Sequence, residues 1–280
     1  MKLNNTWKSI LDIVLFIILF VLIQYVVTLI VGSSALAMRH TPWESIRQAL
    51  ITGNFPLSGE ILSAITILSS LLTILLFART KWTPISRTYL ASKPWVVLVW
   101  TALLSLGTIL PSEWGIEKMQ VAMPAGMEQL FNSIMRSPLG YAAIGILAPI
   151  AEEVVFRGAI LRKLLTLFGK QKHWIAIAVS AALFGLLHGN LPQFIHAFVI
   201  GLLLGWLYYR TDSIIPGILF HWVNNTVAYI MFHIMPQMQD GKLIDLFHGD
   251  QKTMYLGLLF SFCILIPSLL QLNQKLKKAK

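Results

Sequence analysis

The chain has 280 residues, of which 56% are hydrophobic and only 12% are charged, and its formal net charge is +10. A mean hydropathy of +0.70 excludes a soluble surface. The basic residues lie beside apolar runs and do not form a stripe with interleaved aromatics, so nucleic acid is not an expected partner. The runs are about 20 residues long, which predicts membrane-spanning helices and excludes a transmembrane barrel of short alternating strands.

Eight candidate spans follow one another along the chain and predict an all-α, polytopic membrane bundle. They are residues 10–32, 59–78, 94–110, 139–164, 173–189, 192–209, 213–234 and 253–270. The first resembles a signal peptide, because basic residues precede it. Its apolar stretch exceeds the 7 to 15 residues, roughly, of a signal-peptide core, so we interpret it as a retained helix.

The basic residues other than Arg157 are divided unequally between the two sides of the membrane. An even number of spans places both termini on one side. That side holds fifteen basic residues, namely Lys2, Lys8, Arg79, Lys81, Arg87, Lys93, Arg162, Lys163, Lys170, Lys172, Arg210, Lys275, Lys277, Lys278 and Lys280. The opposite side holds six, namely Arg39, Arg47, Lys118, Arg136, Lys242 and Lys252. Because cytoplasmic loops carry an excess of Lys and Arg, both termini are predicted to be cytoplasmic.

The interior of the fourth span contains three charged residues, Glu152, Glu153 and Arg157. A charge at the middle of a bilayer costs at least about 2.5 to 3.5 kcal/mol on insertion scales, so these residues need a specific reason. Glu153 and Arg157 are four residues apart and share a helical face, whereas Glu152 is rotated by about 100°. We expect Arg157 to neutralise Glu153 as a supporting pair, which leaves Glu152 free for chemistry.

Two histidines and an amide lie at a similar depth in later spans. His188 is near the end of the fifth span, and His221 and Asn225 are four residues apart in the seventh. At 1.5 Å per residue from their cytoplasmic ends, these residues and Glu152 lie roughly 12 to 23 Å deep, so they can meet. His196, in the sixth span, has no matched partner in the sequence and is interpreted as a packing or interfacial residue.

These four groups support two kinds of chemistry. A carboxylate and an imidazole can hold and deprotonate a water, and an imidazole and a carboxamide can donate to the oxyanion of amide hydrolysis. The alternative is a catalytic zinc site with Glu152, His188 and His221 as its whole ligand set, since Asn is a poor zinc ligand. The sequence leaves both open. It lacks a G-x-S-x-G elbow and a P-loop, which argues against a serine hydrolase of that type and an ATP-driven pump.

The same residues resemble three motifs of the CPBP family of intramembrane proteases. That family includes the CAAX prenyl endoproteases and the bacteriocin-processing or self-immunity proteins often labelled Abi. The motifs are Glu152-Glu153-xxx-Arg157, Phe184-xxx-His188 and His221-xxx-Asn225, in that order on successive apolar segments. The similarity covers about residues 139–234.

The resemblance implies a helical bundle with a polar cavity that opens toward the cytoplasmic leaflet. It also implies Glu152 as general base with His188 positioning the water, and His221 with Asn225 as the oxyanion hole. Members of the family are catalogued as metalloproteases, and a metal-free, glutamate-dependent mechanism is also proposed for them. The resemblance therefore implies either no cofactor or Zn²⁺.

These inferences divide the chain into an N-terminal three-helix membrane region (1–138), a catalytic core (139–234) and a loop, last helix and basic cytoplasmic tail (235–280). The leading hypothesis is an intramembrane endopeptidase of a bacterial cell membrane. Its partners would be the lipid bilayer and a membrane-associated peptide or protein, either a prenylated CAAX-type C-terminus or a leader, pheromone or bacteriocin-type precursor. The alternatives are a non-proteolytic scaffold or bacteriocin immunity protein, and a proton-coupled transporter that uses Glu152 and the histidines as a relay.

Overall fold

The structure, a computed structural model, describes residues 2–84, 87–235 and 242–276, and within these ranges it is helical without strands. The helices are α1 (Lys2–Met38), α2 (Trp43–Thr52), α3 (Gly59–Arg79), α4 (Arg87–Ala91), α5 (Trp95–Lys118), α6 (Ala125–Met135), α7 (Ala148–Glu153), α8 (Arg162–Phe168), α9 (His173–Leu186), α10 (Leu191–Thr211), α11 (Ile215–Ile234) and α12 (Gln251–Lys275).

The predicted all-α, multi-pass membrane bundle is confirmed, and each of the eight predicted spans overlaps a helical segment. Within the described residues, five helices are long and apolar enough to cross a membrane: α1 from Thr6 onward, α3, α5, α10 and α12. α9 has only 14 residues. The count of eight crossings stays a prediction.

Two short helices were not predicted as elements, because neither is long enough to span a bilayer. α2 packs its apolar face on the end of α1, where Leu36, Ile46 and Phe55 form a small core. α6 packs against α3 and leads into the fourth predicted span. Both helices are amphipathic, as helices at the edge of an apolar core are.

The fourth predicted span forms the centre of the bundle. It is one continuous helical run over residues 141–168, which we call the Glu152 helix. Two stretches of it, Tyr141–Leu147 and Val154–Leu161, are wound as π-helix, and α7 lies between them. All eight residues of Val154–Leu161 are buried. The Glu152 helix contacts α1, α3, α9, α10 and α11. These neighbours explain why the helix is apolar on every side, since such a helix is normally buried.

Side chains of neighbouring helices donate to backbone carbonyls of the second π stretch. Thr83 Oγ1 donates to the Val154 carbonyl at 2.6 Å, and Ser180 Oγ donates to the Phe156 carbonyl at 3.1 Å. π-helical turns are rare and are frequently found at functional sites. The wide turns are thus tied to two different neighbours, which fixes the rotation of the Glu152 helix about its axis.

The apolar core has two main parts that share α10. The larger surrounds the second π stretch and includes Phe16 of α1, Phe77 of α3, Ile177 of α9 and Tyr208 of α10. The smaller joins α5, α10, α11 and α12 through Leu104, Leu204, Leu207, Phe220 and Leu272. Because α10 belongs to both parts, it holds α9 and α11 at fixed positions beside the Glu152 helix.

The orientation of the chain stays a prediction that rests on its basic residues. The side chains of Lys2, Arg87 and Lys170, and the residues Lys277, Lys278 and Lys280, lie outside the described part of the structure. Reporters fused after Lys280 and inserted at residues 120–124, beyond the end of α5, are expected to report the cytoplasmic and the external side respectively, because of the positive-inside rule. A C-terminal reporter on the external side would contradict the eight-span arrangement.

Candidate active site

Glu152, Glu153 and Arg157 of the Glu152 helix have different surroundings. Arg157 Nη1 lies 2.8 Å from Glu153 Oε1, and the two side chains are 1% and 0% exposed. The Arg157 guanidinium also lies over the ring of Phe184, 4.5 Å from its centroid, and Nη2 approaches the Gly201 carbonyl at 3.5 Å. A carboxylate and an aromatic face both stabilise the positive charge of a buried guanidinium.

α11 comes very close to the buried carboxylate at Gly217. A Cβ atom at this position would lie 2.5 Å from Glu153 Oε2. Only a glycine permits this approach, since carbon and oxygen cannot come so close without repulsion. The first turn of α11 is therefore set against Glu153, which places the next turn, with His221, beside the Glu152 helix.

His221 lies between the two adjacent carboxylates. Its Nε2 is 3.6 Å from Glu152 Oε2, and its Nδ1 is 3.6 Å from Glu153 Oε1. Glu152 keeps 22% of its side chain exposed, whereas Glu153 keeps none. The two neighbouring carboxylates thus differ sharply: Glu153 is enclosed with a cation, and Glu152 faces open space beside an imidazole.

His188 lies on a turn and not in a helix. The sequence predicted a span through residue 189, but α9 ends at Leu186 and Gly189 has a positive φ of 69°. His188 Nδ1 lies 3.1 Å from the Phe184 carbonyl, so Nε2 is the ring nitrogen left for other partners. Asn190 caps α10 and also donates to the His188 carbonyl at 3.0 Å, which anchors the turn.

Phe184 joins the parts of the site that come from different helices. Its ring is 5.1 Å from the ring of His188 and 5.9 Å from the ring of His221, in both cases edge to face. The Arg157 guanidinium covers the same ring. The sequence reasoning named Phe184 only as part of a motif, and its central position depends on contacts that sequence spacing does not reveal.

Asn225 joins α11 to the start of the Glu152 helix. Its Nδ2 donates to the Ile144 carbonyl at 3.0 Å, in the first π stretch. On the same face of α11, Trp222 Nε1 donates to the Tyr141 hydroxyl at 3.1 Å, and Thr226 Oγ1 lies 3.1 Å from the same hydroxyl. α11 is thus fixed to the start of the Glu152 helix by three side chains on one face.

His196 is closer to the site than its interpretation as a packing residue anticipated. Its side chain contacts Asn224 and lies within electrostatic range of His188 and His221. Nδ1 of His196 is buried and has no hydrogen-bond partner among the described residues. The sequence did hint at this position. Asn190 caps α10 and closely follows His188, and His196 lies about one and a half helical turns after Asn190.

The proposed zinc ligands do not converge as a metal site. Within the described residues, no group of three or more His, Cys, Asp and Glu side chains is placed to hold a metal ion. Glu152 and His221 are adjacent, but His188 is turned toward the Phe184 carbonyl. Zinc needs at least three protein ligands at about 2 Å, and the side chains as arranged do not fit that requirement.

A comparison with known proteins matches the part of the chain that carries these residues. A family profile described as "Type II CAAX prenyl endopeptidase Rce1-like" matches residues 135–227. This segment, the CPBP segment, carries the resemblance to the CPBP family. The predicted resemblance is therefore confirmed, and the CPBP segment contains all six residues singled out from the sequence.

A relative is found in Bacillus subtilis (strain 168), where the protein is named "Putative membrane peptidase YdiL". It is 30% identical over 104 residues, which are 37% of this chain. The alignment spans 41% of the length of that relative. No solved structure gives a significant match. The division into three regions and the roles of the six residues in this CPBP segment stay predictions.

Proposed function

We propose that this chain is an intramembrane endopeptidase that hydrolyses a peptide bond of a membrane-associated peptide or protein. The observation that carries the proposal is the contrast between two adjacent carboxylates. Glu153 is enclosed and neutralised by Arg157, whereas Glu152 is partly exposed beside His221. A carboxylate kept available next to an imidazole inside a membrane bundle is suited to accept a proton.

The proposed reaction assigns one role to each of four side chains. Glu152 accepts a proton from a water that His188 Nε2 helps to orient, and the water oxygen forms a bond to the peptide carbonyl carbon. The carbonyl oxygen becomes an oxyanion that accepts hydrogen bonds from His221 and Asn225. When the carbon–nitrogen bond breaks, the proton held by Glu152 passes to the leaving nitrogen, so the products are a carboxylic acid and an amine.

Arg157 supports this chemistry from a distance. Because it neutralises Glu153, the pair adds little net charge beside Glu152. Phe184 separates the guanidinium from the two histidines. Glu153 and Arg157 are therefore positioning residues in the proposal, and neither touches the substrate.

Two classes of substrate suit a site of this kind. The family description favours a prenylated CAAX-type C-terminus, and the relative is named only as a membrane peptidase. A leader, pheromone or bacteriocin-type precursor presents the same chemical target, a peptide bond held at the membrane surface. The bacterial relative supports a bacterial cell membrane as the location.

The proposal is tested by comparing the membrane peptides of cells that carry the wild type with those of cells that carry Glu152→Gln. Peptides that shorten at one defined bond in the wild type alone would identify the substrate and the bond. A scaffold or immunity protein would produce identical peptides in both. Synthetic prenylated and unprenylated versions of the shortened peptide then separate the two substrate classes.

Metal removal is expected to leave the activity intact, because the side chains do not form a three-ligand site. Purified protein should keep at least about half of its turnover after prolonged dialysis against a strong chelator, since Glu152 and not a cation activates the water. The measurement is turnover before and after dialysis, with metal content determined on the same samples. Loss of activity that added zinc restores would contradict the metal-free mechanism and leave the protease proposal standing.

A further inference from the structure

The first π stretch ends with a backbone carbonyl that lacks a donor from its own helix. The last hydrogen bond of the stretch runs five residues back, from the Ala148 N–H to the Ala143 carbonyl. The next donor in this register would be residue 149, which is a proline and has no N–H. The Ile144 carbonyl is therefore left open where the π register stops and α7 begins.

Asn225 of α11 occupies this position. Its Nδ2 donates to the Ile144 carbonyl at 3.0 Å and makes no other hydrogen bond within the described ranges. A carboxamide has two N–H donors, so the bond takes one and fixes the plane in which the other points. The Tyr141 hydroxyl, bonded to Trp222 and Thr226, holds the same face of α11 against the same stretch.

We propose that Pro149 is a positioning residue for Asn225: by withholding an N–H from the Ile144 carbonyl, it makes that carbonyl the fixed acceptor that aims the second N–H of the amide. The use of this second N–H as an oxyanion donor rests on the proposed function. The bond itself does not, and it can be tested without any assay of hydrolysis.

The first test is a coupling measured in thermal unfolding of the purified full chain. Asn225→Ala leaves the carbonyl unpaired and should lower Tm by about 3 to 8 °C. In a Pro149→Ala background, the new N–H of residue 149 can pair with the carbonyl, and the same substitution should lower Tm by less than half as much. Asn225→Leu, which keeps volume but cannot donate, should lower Tm like Asn225→Ala.

Pro267→Ala is the matched control. Pro267 is also an interior helix proline, but it lies exposed on α12 and in neither core. It should show no coupling to Asn225→Ala. If Asn225→Ala lowers Tm equally in the wild-type and Pro149→Ala backgrounds, the proposal is overturned. An Asn225→Leu variant as stable as the wild type would also overturn it. This second comparison can be made even if Pro149→Ala does not fold.

The second test separates positioning from stability once a substrate is in hand. Pro149→Ala should lower kcat by about 10 to 100-fold and leave KM within about twofold, because a misdirected donor affects the transition state and not binding. Asn225→Ala should lower kcat much less in the Pro149→Ala background than in the wild-type background. If the unfolding coupling is present and the wild type cleaves no peptide, the proposed function fails and the structural role of Pro149 stands. Unchanged kcat in Pro149→Ala of an active enzyme overturns the positioning role.

Discussion

Glu152→Gln is expected to lower turnover by about 10² to 10⁴-fold, which is the usual contribution of a positioned general base. Gln keeps the size and hydrogen-bonding capacity of Glu but cannot accept a proton. Glu152 is partly exposed and has no cation pair, so its replacement removes no structural interaction comparable with that of Glu153. The amount of folded protein should therefore stay within about 20% of the wild type, since surface-type changes alter stability little.

Glu153→Gln is the matched control, because it makes the same chemical change one residue away. It should reduce the folded amount by leaving the Arg157 charge buried without its carboxylate. The two variants are compared by gel filtration in detergent and by turnover per folded molecule. Full activity of purified Glu152→Gln would show that the proton acceptor is another group.

Arg157→Ala is expected to destabilise the protein by about 3 to 5 kcal/mol, the range found when one partner of a buried ion pair is removed. The substitution strands Glu153, removes the cation from the face of Phe184 and opens a cavity among fully buried side chains. The folded yield and Tm should both fall strongly. A double variant, Glu153→Leu with Arg157→Met, removes both charges and should recover part of the loss.

Arg47→Ala provides the comparison for an ordinary ion pair. Arg47 lies 2.7 Å from Glu44 in α2, but the two side chains are 56% and 70% exposed. Its loss should change stability by no more than about 0.5 kcal/mol. If Arg157→Ala is no more harmful than Arg47→Ala, the pair in the Glu152 helix is not required for folding.

The helices themselves could be predicted because lipid imposes a length and a composition on every span. The runs 59–78 and 192–209 differ from α3 and α10 by only one or two residues at each end. α2 and α6 escaped prediction, since a short amphipathic helix carries no such requirement. The predicted end of the fifth span was also wrong. Leu186 and Leu187 continue the apolar run, but α9 ends at Leu186 and the chain turns at Gly189, where φ is positive.

Within the site, helical spacing predicted which charges share a face, and Glu153 and Arg157 do pair. Spacing could not predict how α11 bonds to the Glu152 helix, because the π turns depend on donors that arrive from elsewhere in the chain. The Ile144 carbonyl, for example, is open only in the wide register that Pro149 ends. The nearness of His196 to the site could not be predicted for a similar reason, since its neighbours are on α11 and on the turn at His188.

The placement of both partners of the buried ion pair on a single helix bears on how the chain enters the membrane during synthesis. Glu153 and Arg157 are one turn apart, so they can neutralise each other as soon as that segment leaves the ribosome and meets the translocon. Neither charge has to wait in lipid for a later helix. Glu152 differs, because its neighbour His221 is synthesised almost 70 residues later. The buried ion pair is thus complete early in synthesis, whereas Glu152 and His221 come together only when α11 has been made and docked.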